Sequence, residues 1–185
     1  MSQRMPAIEK PVEGPRIAVE LARLGALLIV VVLLQTVVAP NLRVLGANPD
    51  FVLLVVVSVA LLRGAETGAV FGFVAGGLVS LALFVPPGVQ SLVMVAVGFL
   101  AGRYAETADL SPSVAPIVTV FAGTVLAESL SLLAQFLFGR QVPVGYLFGH
   151  WFVPLLVLNT LLAVPIYVAC RWWLKGARHV RLPEA

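Results

Sequence analysis

The chain has 185 residues, of which 60% are hydrophobic and 11% are charged, and its formal net charge is +3. Soluble domains carry about 25% charged residues, so this composition excludes a soluble globular protein and indicates an integral membrane protein. Abundant Leu, Val, Ala and Gly favour helices over a transmembrane barrel, whose strands would alternate apolar and polar residues. Cys170 is the only cysteine, which excludes a disulfide framework and a cysteine-rich metal site.

The N-terminal region is predicted to be a tail followed by a first membrane span. Residues 1–16 are polar and rich in proline, so we expect a disordered cytoplasmic tail there. The first span is predicted over residues 17–39. A signal peptide is the alternative, but Pro40 follows the small residues at the end of the segment and disfavours cleavage. The span also carries a second small-residue strip that is able to pack against a helix, formed by Ala18, Ala22 and Ala26.

The second apolar segment is short. Residues 49–62 would form about 21 Å of helix, against a hydrocarbon core of about 30 Å. Such a helix spans the bilayer only if Arg63 extends outward and the connecting segments enter the membrane. A re-entrant helix is the alternative interpretation.

A glycine-rich span follows and reaches residue 84. Its small residues recur at every fourth position, which places them on one helix face: Gly68, Gly72, Gly76 and Ser80. In lipid no hydrophobic effect drives helices together, and glycine permits the close backbone contact that replaces it. We therefore predict that this strip is a helix–helix contact and that the glycine-rich helix is the hub of the bundle.

Three further spans complete the predicted membrane domain, over residues 89–101, 114–138 and 150–173. The domain thus covers residues 17–173 in about six helices, and residues 174–185 form a basic cytoplasmic tail. Trp172 and Trp173 mark the membrane interface at the end of the last span.

The basic residues predict the orientation of the six spans. Of the 12 Lys and Arg residues, only Arg43 and Arg140 would lie on one side of the membrane. The side rich in Lys and Arg is normally cytoplasmic, so we expect both termini in the cytoplasm. An odd number of spans would place one basic terminus outside and is rejected. Four spans are an alternative if the short segments fold back.

Two polar residues stand in the middle of predicted spans. Glu128 lies in the fifth and Asn159 in the sixth, at similar depth from the loop that joins these spans. A carboxyl group is costly inside a bilayer, so Glu128 should face the bundle or a partner. We predict a buried hydrogen bond between Glu128 and Asn159; a contact with a partner protein and a proton or substrate site are the alternatives.

No catalytic constellation is evident in the sequence. It contains no converging Ser-His-acid set, no cluster with metal-ligand spacing and no phosphate-binding glycine loop. The sequence therefore predicts no enzyme, no metal, no cofactor and no nucleic-acid partner.

Three segments resemble the bacterial rod shape-determining protein MreD family. The first is Asn48-Pro49-Asp50 with its apolar continuation, and the second contains Gly72, Phe73 and Gly76. The third is LNTLLAVPIY at residues 158–167, and the length and hydrophobic layout are also similar. One departure is Ser80, where the family commonly has Asp, which would leave Glu128 to replace it if that carboxylate is needed.

The resemblance implies a function. It implies a non-enzymatic subunit of the cell-elongation machinery in the bacterial inner membrane, which supports lateral peptidoglycan synthesis. The implied partners are a single-span scaffold protein like MreC, other membrane proteins of that machinery and the lipid bilayer. It also implies a fold similar to the substrate-binding subunits of energy-coupling-factor transporters. A vitamin-binding transport subunit is accordingly the alternative, although the predicted outer loops offer few polar groups for a ligand.

Overall fold

The structure is a computed structural model that describes residues 14–43, 46–84, 88–108, 114–139 and 151–175. Within these ranges the chain forms six α-helices and no strand. The helices are α1 (Gly14–Leu33), α2 (Phe51–Arg63), α3 (Ala65–Ala82), α4 (Val89–Thr107), α5 (Ala115–Leu137) and α6 (Val153–Lys175). A π-helical turn (Leu34–Val38) and a 3₁₀ turn (Ala39–Asn41) continue α1. The prediction of an all-helical membrane protein is confirmed.

The helices differ in their ability to cross a bilayer. Four of those described are long and apolar enough to do so: α1 with its continuation, α3, α5 and α6. α2 has only 13 residues, which is roughly 20 Å of helix. Full spanning by α2 and α4 therefore stays a prediction.

Two helix boundaries differ from those expected. α1 begins at Gly14, because Pro15 falls in the first helical turn, where proline is tolerated. α4 continues past the predicted end at residue 101 to Thr107. Gly102 does not end this helix because it packs directly on the α3 backbone, where an added Cβ would lie 2.3 Å from the Ala65 nitrogen. Most of the two predicted tails lies outside the described residues.

The centre of the bundle is α2. All its residues from Phe51 to Ala60 are buried, and the other five helices pack around it. The prediction that the glycine-rich helix α3 is the hub is wrong. α3 packs through one face only, and its opposite face exposes Val70, Phe73 and Val74. Apolar side chains cover the whole circumference of α2, which allows helices to pack against it on every side.

The glycine strip of α3 lies against α4. A Cβ atom added to Gly72 would lie 2.4 Å from the Met94 carbonyl oxygen, and one added to Gly76 would lie 2.7 Å from a carbonyl oxygen of α4. α4 contributes its own glycine, because a Cβ at Gly98 would lie 2.3 Å from the Gly68 carbonyl oxygen. The two backbones are therefore in direct contact, without intervening side chains.

Polar contacts hold the end of the bundle where α2 ends and α3 begins, here called the Arg63 end. Arg63 forms an ion pair with Glu20 of α1 and donates to the Leu174 carbonyl oxygen of α6 at 3.3 Å. Glu106 of α4 accepts a hydrogen bond from the Ala65 backbone nitrogen at 3.0 Å and so caps α3. These contacts join five of the six helices at one level.

Candidate functional site

Several buried or half-buried polar side chains gather at the start of α2. A helix leaves its first backbone N–H groups without internal partners, and lipid offers none. Asp50 precedes the helix, and its Oδ1 accepts from the Leu53 nitrogen at 3.0 Å. Gln35 Oε1 accepts from the nitrogens of Phe51 at 2.8 Å and Val52 at 3.3 Å. Side chains thus satisfy the first three N–H groups of α2.

Asn159 connects this cap to two further helices. Its Oδ1 accepts from the Asp50 nitrogen at 3.0 Å, and its Nδ2 donates to Thr124 Oγ1 at 3.3 Å. Both Asn159 and Thr124 are 0% exposed. Asn159 therefore ties α6 to α5 and to the segment before α2. We call Gln35, Asp50, Thr124 and Asn159 the cap cluster.

The cap cluster lies deep in the bundle rather than at its surface. Thr124 stands near the middle of the 23-residue α5. The chain reaches this depth through residues 46–50, in which Ala47 is 0% exposed and Pro49 is buried. The connecting segment thus enters the bundle, as a short second span requires. The start of α2 therefore lies within the bundle, where side chains take the place of water as acceptors.

Glu128 lies next to the cap cluster but is not bonded to Asn159. The predicted hydrogen bond between them is absent from the described residues. The reason is that the Asn159 amide is directed to the Asp50 nitrogen and to Thr124, which precedes Glu128 by one turn of α5. Glu128 is half-buried, one turn of α5 from Thr124 of the cap cluster. Two carboxyl groups thus lie in or near the site, Asp50 before α2 and Glu128 on α5.

The other predicted residues lie in two places. Asn48 and Pro49 precede α2, and Asn48 Oδ1 is buried without a hydrogen-bond partner in the described ranges. Ser80 is 0% exposed on α3, where its hydroxyl donates to the Gly76 carbonyl oxygen at 2.8 Å. Phe73, in contrast, is 57% exposed on the outer face of α3. The glycine strip and the cap cluster are thus separate features.

Two members of the cap cluster, Gln35 and Thr124, were not among the predicted site residues. Gln35 lies in the π-helical turn, where an extra residue per turn redirects side chains. The sequence feature that could have identified Gln35 is its amide in an otherwise apolar span, since such residues usually face protein rather than lipid. Thr124 gives a weaker signal, because threonine commonly bonds to its own helix backbone.

The comparisons with known proteins identify the family. A family model described as rod shape-determining protein MreD matches residues 20–176. The chain belongs to the MreD family. No match was found among curated proteins or among solved structures. The match includes the complete cap cluster and the glycine strip, so both are features of the MreD-like part of the chain.

MreD membership gives the site its biological setting. This MreD protein is a rod shape-determining membrane protein, with several helices suited to the bacterial inner membrane. The family is one of shape-determining proteins and not of known enzymes. Among the described residues, no group of three or more His, Cys, Asp or Glu side chains is placed to hold a metal ion.

Proposed function

We propose that this MreD protein is a non-enzymatic subunit of the bacterial cell-elongation machinery. It binds a single-span scaffold protein like MreC and so supports lateral peptidoglycan synthesis from the inner membrane, with both termini in the cytoplasm. The observation that carries the proposal is the family match over residues 20–176. The predicted similarity to substrate-binding subunits of energy-coupling-factor transporters stays a prediction about the fold.

The groove between α1 and α3 is the face we assign to the partner helix. α1 with its continuation is the least covered of the four long apolar helices, with 6% of its most apolar window buried. The groove encloses about 510 Å³ and exposes both backbone and apolar side chains; it is lined by Glu20, Leu21, Leu24, Gly25, Leu28, Glu66, Thr67, Val70, Phe71 and Val74. A Cβ added to Gly25 would have no atom within 4 Å. Small residues at such a face permit close helix contact in lipid.

Charge supports the same assignment. Glu66 is exposed at the Arg63 end of this groove, beside Glu20. A single-span protein with a cytoplasmic N-terminus carries Lys and Arg just before its span. Those cations would meet the Glu66 carboxylate when the two helices pack side by side, and this electrostatic complementarity favours one orientation of the partner.

Gly25→Phe tests the assignment directly. Gly25 is exposed, and a Cβ added there has no atom within 4 Å, so the variant should fold normally and lose the partner. Co-purification with the MreC-like protein and rescue of rod shape in a strain that lacks this gene are the measurements. Ala122→Phe is the matched control, since Ala122 is an exposed small residue of α5 on another face. Normal partner capture by Gly25→Phe would contradict the assigned face, and no capture by the wild type would contradict the proposed function.

A further inference from the structure

A second groove opens between α1 and α6, at the Arg63 end. It encloses about 930 Å³ and is lined by Arg23, Pro165, Val168, Ala169, Trp172 and Trp173. Its lining thus combines one cation with apolar and aromatic side chains. The outer wall is open, because Trp172 is 82% exposed and Val168 is 48% exposed.

Arg23 lacks an acceptor for its charge within the described chain. Its Nη1 atom is buried and has no hydrogen-bond partner there. The nearest carboxylate along α1 is Glu20, and Arg63 engages it in an ion pair. The other ion pair of the described residues joins Arg103 to Glu106, so Arg23 takes part in neither. A buried guanidinium N–H is strongly favoured to find an anionic acceptor.

The groove is charged at one end and apolar at the other, as a phospholipid is from its headgroup to its acyl chains. Trp173 Nε1 donates to the Arg23 carbonyl oxygen at 3.2 Å, which joins α1 to α6 at this level. Tryptophan typically marks the membrane interface, where lipid headgroups lie. Pro165 stands eight residues earlier in α6, which is roughly 12 Å deeper toward the centre of the bilayer. The charged end of the groove therefore lies at headgroup level and its apolar walls lie at the level of acyl chains.

We infer that this groove binds an anionic glycerophospholipid from the leaflet at the Arg63 end. The headgroup phosphate accepts hydrogen bonds from the Arg23 guanidinium, and one acyl chain lies along Val168, Ala169 and Pro165. Basic pockets between membrane helices bind anionic headgroups in this way. The α1–α3 groove exposes the Glu66 carboxylate and has no Lys or Arg in its lining, so it is not suited to the same lipid. This site does not depend on the proposed function.

Native mass spectrometry of the full chain tests the site. The protein is purified with an equimolar mixture of phosphatidylglycerol and phosphatidylcholine that have identical acyl chains. Both lipids carry the phosphate, but the choline ammonium of phosphatidylcholine repels Arg23 and offsets part of the attraction. We therefore expect the wild type to retain phosphatidylglycerol about tenfold better. Arg23→Gln should abolish this preference, and Arg23→Lys should keep part of it because the charge remains.

Two further variants complete the design. Arg103→Gln removes an exposed arginine from the same end of the bundle and should leave the preference unchanged. Ala169→Phe fills the groove while Arg23 stays intact, and it should reduce retention of phosphatidylglycerol. If Arg23→Gln does not fold, Ala169→Phe replaces it as the test of the site. An unchanged preference in folded Arg23→Gln would overturn the site. So would unchanged lipid retention in Ala169→Phe together with loss of a co-purifying protein or a second copy, which would assign the groove to a partner helix.

Discussion

Substitution of Gly72 by alanine measures how closely α3 and α4 approach. The new Cβ would lie 2.4 Å from the Met94 carbonyl oxygen and 2.8 Å from its carbon, both backbone atoms that no rotamer change moves. Carbon–oxygen contacts normally begin at about 3.3 Å, so the helices must separate locally by about 0.9 Å. Overpacking of this kind typically costs about 1–3 kcal/mol.

Substitution of Gly25 provides a control that separates this packing cost from the gain in helix propensity. Alanine also favours helix formation by up to about 1 kcal/mol relative to glycine, which would offset part of the loss. Gly25→Ala gains the same helix propensity but meets no atom within 4 Å. The expected free energy of unfolding of Gly72→Ala is therefore about 1–3 kcal/mol below that of Gly25→Ala. Thermal unfolding in one detergent, followed by fluorescence of the native tryptophans, gives the comparison. Equal melting temperatures for the two variants would refute the direct backbone contact.

Three further predictions concern the cap cluster and the topology. Asn159→Leu should destabilise the protein by about 1–3 kcal/mol, because it leaves a buried backbone N–H without an acceptor; thermal unfolding measures this. Glu128→Gln should fold and support rod shape, since no described hydrogen bond requires its charge; a variant that reaches the membrane in normal amount but fails in shape would contradict this. Single cysteines at Arg43 and Gly88 should react with an impermeant maleimide from outside, with little background because Cys170 is buried; a lack of reaction would contradict the proposed orientation.

The helices could be predicted from the sequence, but their arrangement could not. Hydropathy locates apolar segments, and turn residues such as Gly64 separate them. In a bilayer, however, an apolar side chain is equally compatible with the inside of the bundle and with the lipid-facing surface. The sequence of α2 therefore shows no polar face that would distinguish a central helix from a peripheral one. The four-residue spacing of glycines identified a close contact, but it did not identify α4 as the partner.

The cap cluster could be predicted only in part. Asp50 and Asn159 were both noticed, one within a family motif and the other as a polar residue in a span. Their contact joins residues 109 positions apart in sequence. Equal depth in adjacent spans made Glu128 the obvious partner for Asn159. Asn159 bonds to the Asp50 nitrogen instead, because the backbone N–H groups at the interior start of α2 compete for every nearby acceptor.

The burial of α2 has a consequence for biosynthesis. The chain leaves the ribosome from its N-terminus, so α2 is made before α3, α4, α5 and α6, the helices that surround it. The start of α2 also needs Asn159 as an acceptor, and Asn159 is synthesised 109 residues after Asp50. Until α6 is made, the start of α2 lacks one acceptor, and α2 lacks one of the five helices that pack around it. Packing around α2 is therefore completed only after α6 has been made, and a chain truncated before α6 exposes one side of its central helix.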